Sequence, residues 1–240
     1  MRVVTWNILL GLRLDKVLET VRRQKDFRGL DLFALQEASE HDGRPDADAI
    51  AEALGDEYEY FQATAQTFRG RVQANALIWR KDLFEAKPEI VSLSDLPDLR
   101  LKRVERTLLR AVRPQRRIAI RAESPHLRVY VMHLDLIGFA HKLEQFRTIV
   151  NDISTRPPAP LTLLAGDLNT FGPPRPRMWR GIHRAAEQAG LVELTRRIRR
   201  THWTAQKLDA IYASGDVPAT HRAWTLNVRA SDHLPVFAEL

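Results

Sequence analysis

The chain of 240 residues contains no cysteine. That excludes disulfides, thiolate-held metal sites and thiol catalysis, and it fits a reducing, cytoplasmic setting. Long apolar runs are also missing: no stretch reaches the roughly 20 residues needed to span a bilayer, so no stable membrane anchor is expected. Near the start, Thr5, Asn7 and Arg13 interrupt what would have to be the apolar core of a signal peptide. Internal repeats, low-complexity tracts and a convincing linker are absent too. The proline-rich stretch Arg156–Pro160 would suit a boundary. Polar residues at predicted strand ends on both sides of it argue against a division, so residues 1–240 are expected to form a single domain, and a monomer.

What is present is an ordinary globular balance, 44% hydrophobic and 28% charged residues, with Lys+Arg 37 against Asp+Glu 30 and a net charge of +7. The length is ample for a sizeable core. A basic surface attracts polyanions such as nucleic acid, anionic lipid head groups or phosphorylated small molecules, without choosing among them.

Apolar periodicity divides the chain into alternating strands and helices. Arg2–Trp6 and Leu30–Leu35 read as strands flanking a helix over Leu14–Gln24, whose early acids and late bases suit the helix dipole. A second helix is expected near Asp46–Leu54. Tyr58–Ala63 and Asn75–Arg80 read as paired strands joined by the basic segment Phe68–Arg71, and residues 83–99, with Pro88 and Pro97, as irregular. Arg106–Val112, Arg117–Ala122 and Leu127–Met132 form an expected meander, followed by a helix over His141–Ile153. The run Leu161–Ala165 has the continuous apolar character of a strand buried on both faces, and Gly166, Asp167 and Asn169 follow it. A helix ending near Gln188, with Gly190 as its stop, and strands at Leu208–Ala213, Ala223–Val228 and Val236–Leu240 complete the chain.

Polar residues collect at the ends of these strands. Asn7, Glu37, His133, Asp167 and Asn169 sit at carboxyl ends, whereas Asp209 and Asp232–His233 sit at or before the start of one. Strands ending and strands starting at one rim must run antiparallel, so a mixed sheet assembly would gather all eight. Each alone has an ordinary explanation as a turn, cap or core residue; Asp167 and Asn169 would share a side if the chain stays extended beyond the strand. Together they supply hard oxygen ligands suited to Mg²⁺ and histidines suited to proton transfer.

Thr5-Trp6-Asn7, Leu35-Gln36-Glu37, Gly166-Asp-Leu-Asn169, Leu208-Asp209-Ala-Ile-Tyr and Ser231-Asp-His233 resemble, in order, the motifs of the endonuclease/exonuclease/phosphatase superfamily. That group includes pancreatic-type DNase, exonuclease III-like repair enzymes, neutral sphingomyelinases and inositol-polyphosphate phosphatases. The resemblance implies a four-layer α/β/β/α sandwich, DNase I-like, with two mixed, mostly antiparallel sheets face to face and helices outside. It implies Asn7, Glu37 and Asp232 as ligands of Mg²⁺, with Mn²⁺ as an alternative. His233 would be the general base oriented by Asp209, while Asp167 and Asn169 would position water, phosphate or a second metal. His133, where exonuclease III-like enzymes usually carry tyrosine, matches the DNase, sphingomyelinase and phosphatase branches, which also carry a helix resembling that with Gln145 and Arg147. It would donate to the phosphate or the leaving oxygen. Asn75 and Arg106 match positions near the substrate phosphate.

The implied reaction is in-line attack of water on a phosphodiester. Arginine loops at Phe68–Arg71, Arg175–Arg177 and Arg196–Arg200, the last with Trp203, make nucleic acid the expected partner. The alternative is a phosphodiesterase or phosphatase for a sphingolipid, phosphoinositide or other small phosphorylated substrate, for which Leu136–Phe139 is a candidate membrane-contacting loop. A non-catalytic nucleic-acid-binding module would predict losses among the eight positions, and none is lost.

Overall fold

A computed structural model describes residues 1–68, 70–93, 115–171 and 176–240. The first sheet contains β1 (Arg2–Asn7), β2 (Leu32–Ala38), β5 (Tyr58–Phe68), β6 (Arg71–Arg80), β13 (Arg222–Thr225) and β14 (Val236–Glu239). Their order is β13-β14-β1-β2-β6-β5. The second contains β7 (Glu89–Ser92), β8 (Ile118–Glu123), β9 (Leu127–His133), β10 (Leu161–Asp167), β11 (Val192–Glu193) and β12 (Asp209–Gly215). Its order is β11-β12-β10-β9-β8-β7. The short strands β3 (Glu40–His41) and β4 (Arg44–Pro45) make a separate hairpin. Among the described residues, β1–β2 and β9–β10 pair in parallel and the other pairings are antiparallel, so both sheets are mixed, as expected.

Alternation of side chains across each strand explains the layers. Val3, Leu32, Ala34, Leu77, Val129, Val131, Leu163, Ala165, Ile211 and Ala213 face inward and join the two sheets in one core. Val4, Trp6, Phe33 and Leu35 face outward beneath α1 (Leu14–Arg23) and α2 (Asp46–Leu54). Tyr130, Met132, Leu164 and Tyr212 face outward on the other side, beneath α3 (Phe139–Ser154) and α4 (Pro176–Gln188). Helices therefore cover both outer faces. None of the helices among the described residues is long and apolar enough to cross a membrane.

Three local expectations change. β7 forms within the stretch expected to be irregular and pairs with β8. Its residues are mostly exposed, so the strand carries no apolar alternation to announce it. β5 and β6 extend to Phe68 and Arg71 past a bulge at Thr64/Gln66, because buried Ala63 and Ala65 alternate with polar residues. β13 stops at Thr225, and Leu226 and Val228 pack on the outer core without pairing. The expected strand Arg106–Val112 lies outside the described residues.

Candidate active site

The same alternation builds the site. Val3, Thr5 and Asn7 share the inner face of β1; Val129, Val131 and His133 share that of β9; Leu163, Ala165 and Asp167 share that of β10. Each inward series ends in a polar residue, and β12 begins with one, Asp209, before inward Ile211. Register completes the gathering, since Asp167 lies opposite both His133 and Asp209. Gly166 makes that alignment feasible: at φ +153° it opposes Met132, and a Cβ there would lie 1.8 Å from the Met132 carbonyl oxygen.

Glu37 reaches the site differently. Strict alternation would send it outward with Phe33 and Leu35, beneath the helices. A bulge between Gln36 and Ala38 intervenes, and Glu37 adopts the left-handed φ of +52°. For a residue other than glycine this costs about 1–3 kcal/mol. The side chain is thereby turned toward the opposing sheet, where its Oε1 accepts from Gln73 Nε2 (3.2 Å) and lies 3.8 Å from His133 Nε2.

Asp167 is central and fully buried. Its Oδ2 accepts from Asn7 Nδ2 (3.0 Å) and lies 3.6 Å from His133 Nε2 and 3.8 Å from His233 Nε2. His233 Nδ1 meets Asp209 Oδ2 at 2.9 Å. Trp6 Nε1 donates to the His233 carbonyl (2.9 Å), and Ser231 Oγ donates to the Asn7 carbonyl (2.7 Å), tying β1 to the Ser231–His233 turn. All eight predicted positions are thus at one rim. Asn169 departs from the extended geometry expected of it: φ is +49° and its backbone N–H donates to Asp167 Oδ1 (2.7 Å). The Asp-x-Asn segment is a side-chain-closed turn as well as part of the site. Asn169 Nδ2 is committed to the Leu134 carbonyl (2.8 Å). Asn75 Nδ2 likewise donates to the Ile118 carbonyl (2.8 Å), joining the sheets. Arg106 lies outside the described residues.

Two residues not singled out from the sequence complete the arrangement. Arg117, almost wholly buried, donates from one guanidinium nitrogen to His133 Nδ1 (2.8 Å) and from the other to Gln115 Oε1. His202 places its ring 4.6 Å from that of His233, edge-on, and its Nε2 3.5 Å from Asp232 Oδ2. An arginine heading a strand reads as an edge charge, and His202 follows a basic run; neither leaves a periodic signal.

The two site histidines carry opposite electrostatics. Burial and the adjacent Arg117 charge push His133 well below the ordinary imidazole range. Guanidinium can only donate, so His133 Nδ1 is the acceptor and the neutral ring carries its proton on Nε2. That N–H is buried, has no hydrogen-bond partner among the described residues and faces Asp167 and Glu37. At His233 burial also opposes charge, but the Asp209 and Asp167 carboxylates outweigh it and raise the ring to about 10. Burial raises the pKa of both Glu37 and Asp167. Asp232 is held low: burial opposes its charge, but its bond to His202 and the His233 charge prevail.

Carboxylates outnumber cations here. Among the described residues, Glu37, Asp167, Asp209 and Asp232 face the charges of Arg117 and a protonated His233. The residues therefore fit a divalent cation: their oxygens are hard ligands and their charge is in excess. Among the described residues, two sets of three side chains bring ligand atoms within 4.8 Å of one another, Asp167–Asp209–His233 and His202–Asp232–His233. Glu37 belongs to neither.

The sequence profile of the Endonuclease/Exonuclease/phosphatase family matches residues 4–233. The chain belongs to this family. Members are usually phosphoester hydrolases that use a divalent metal. Solved structures agree in fold. An endonuclease/exonuclease/phosphatase family protein from Leptotrichia buccalis superposes with a TM-score of 0.69 at 16% identity, covering 100% of this chain and 98% of that one. The human Nocturnin catalytic domain with bound sulfate gives 0.67 at 16%, covering 99% and 92%. D. rerio TDP2 complexed with a single-strand DNA product gives 0.62 at 14%, covering 99% and 97%. Comparison with curated protein sequences returns no match.

Proposed function

We propose that this chain is a divalent-cation-dependent phosphodiesterase acting on nucleic acid, by in-line attack of water on phosphorus. The observation that carries this reading is the pair of histidines on either side of Asp167 Oδ2, at 3.6 and 3.8 Å. His233, steered by Asp209, takes the proton from the attacking water. His133, held neutral by burial and Arg117, offers its Nε2–H to a phosphate oxygen or to the leaving oxygen. Asn7, Glu37 and Asp232 are the residues that would hold Mg²⁺ or Mn²⁺, and Asp167 with the Asn169 turn positions the reacting groups. The bound cation supplies positive charge against the charge that builds on the phosphate.

A base must be neutral to accept a proton, and the surrounding carboxylates hold His233 protonated through neutral pH. A divalent cation among those carboxylates would offset their charge and move the ring back toward its ordinary range, which would couple proton transfer to cation dependence. The basic charge of the chain and the fold shared with a protein solved on a single-strand DNA product favour nucleic acid over a lipid or inositol phosphate. A panel of single-stranded and duplex DNA, RNA, sphingomyelin and inositol phosphates, assayed with Mg²⁺ or Mn²⁺ and with chelator, tests this. Cleavage of DNA or RNA that chelator abolishes is expected. Turnover confined to the lipid or inositol substrates would replace the nuclease reading.

A further inference from the structure

Beside the site runs a cleft of about 500 Å³ lined by Arg13, Arg200, Trp203, Arg229, Ser231 and Asp232, among others. Its floor is the turn that carries His233; its rim is basic and aromatic. Trp203 is 66% exposed, the most exposed large hydrophobic residue among those described. It does not sit on a loose loop. Its backbone N–H donates to the Asp232 carbonyl (2.8 Å), and Leu234 N–H donates to the Thr201 carbonyl (2.7 Å). The backbone that carries the indole is therefore tied to the backbone that presents Asp232 and His233. Arg13, Arg200 and Arg229 are exposed, and none forms a salt bridge among the described residues. Arg13 donates to the Arg229 carbonyl (3.3 Å) and Arg200 to the His202 carbonyl (3.4 Å), contacts that position the two side chains and leave donors over.

The indole touches the His202 ring on one side (centroids 5.8 Å) and stays mostly exposed; beside guanidiniums without salt bridges, next to a phosphoester site, it suits one ligand chemistry: a π-face between phosphates. We propose that this cleft is a nucleotide subsite for single-stranded nucleic acid. One base stacks on Trp203 while Arg13, Arg200 and Arg229 contact the phosphates flanking it. The assignment rests on the phosphodiesterase reading and deepens it. Single-stranded nucleic acid is specified because a duplex covers its base faces with neighbouring base pairs, leaving none for the indole.

The test is binding without chemistry: anisotropy of a labelled oligothymidylate with chelator present, over a series of salt concentrations. Trp203→Ala is expected to weaken binding roughly 5- to 150-fold, the range for losing one base stack, and Trp203→Phe to retain most of the affinity. Replacing Arg13, Arg200 and Arg229 together with Ala is expected to reduce the slope of log K against log salt by about 2, for three phosphate contacts. Equal binding by wild type and Trp203→Ala, equal affinity for duplex and single strand, or binding of phosphatidylserine/phosphatidylcholine vesicles without oligonucleotide binding would each overturn the subsite. Trp203-dependent binding with no substrate of the panel cleaved would support the subsite and remove the hydrolase reading. Cleavage of nucleic acid with unchanged binding by every variant would do the reverse.

Discussion

His133 and His233 are a natural comparison inside one site. Both are buried, both stand at the rim of the sandwich, and both point Nε2 at the same Asp167 oxygen. Their pKa values nonetheless move in opposite directions. Burial acts alike on the two, so the difference comes from the neighbouring charges, most directly from what touches Nδ1: a guanidinium at His133 and a carboxylate at His233. One contact each turns the same side chain into a fixed neutral donor or a charge-stabilised acid–base group. The phosphodiesterase reading proposed above uses both, one to touch the phosphate and one to exchange a proton with water.

The comparison breaks most completely when the proton-exchanging member is removed. His233→Ala should lower metal-dependent hydrolysis by about 10²–10⁴-fold, the usual contribution of a positioned acid–base group, with circular dichroism unchanged. Activity within a few-fold of wild type would end the role given to His233. Asp209→Asn comes next. It removes the negative charge bonded to Nδ1, so the ring should titrate below its present value of about 10. The ring then loses its proton at lower pH, and the rate should drop by roughly 10–10³-fold, with the acidic limb of the pH–rate profile displaced to lower pH. NMR titration of the ring checks the sign; an unmoved His233 pKa would separate Asp209 from its function.

How much of this was legible before the fold was known follows from how each residue reaches the rim. Asn7, His133 and Asp167 close inward apolar series of period two, and Asp209 opens one; strand alternation alone puts them together once the sheets face each other. Glu37 breaks that pattern. Its place past an expected strand end and in a recognisable motif marked it, but not the face it takes, because a left-handed residue at a bulge leaves no trace in hydrophobic periodicity. Arg117 and His202 left even less, since their roles arise from contacts with residues distant in sequence, His133 and the Asp232–His233 turn. At Asn75, the position matched near the substrate phosphate, Nδ2 also joins the sheets through the Ile118 carbonyl, a contact that the sequence does not show. The helices and their boundaries were plain, and β7 was hidden by its exposure.

Arg117→Met would test the other half of the comparison. Losing the guanidinium frees His133 Nδ1, so both neutral tautomers become accessible and the ring pKa should rise from its depressed position. It also strips Glu37 and Asp167 of their nearest permanent cation. A loss of roughly 10-fold in kcat is expected, with little change in KM, on the scale of one misdirected hydrogen bond of about 1–2 kcal/mol. Arg117→Lys should recover part of it. The discriminating readout is ring ¹⁵N shifts of His133, which should report a single Nε2–H tautomer in the wild type and a mixture in the Met variant. A mixture already present in the wild type would mean that Arg117 packs beside the ring without selecting its proton.

The smallest change requires no substitution. Adding Mg²⁺ to the chelator-treated protein places positive charge among Glu37, Asp167 and Asp232. The carboxylate that sits beside His233 Nε2 is then partly offset, so the His233 pKa should fall from about 10 toward the ordinary imidazole range. His133 should stay neutral at every concentration, because added positive charge acts in the direction that burial and Arg117 already impose. Stability should respond with the same sign. In the metal-free protein the raised His233 pKa stabilises the fold below the unfolded ring's pKa, and that contribution fades as pH rises toward about 10. With Mg²⁺ bound, the contribution should be smaller and its loss should be complete at lower pH. Paired NMR titrations of the two rings, with and without Mg²⁺, would measure this directly. If both rings shifted together, or His233 did not shift, the cation would be binding away from Asp167, and the division of labour between the histidines would need another cause.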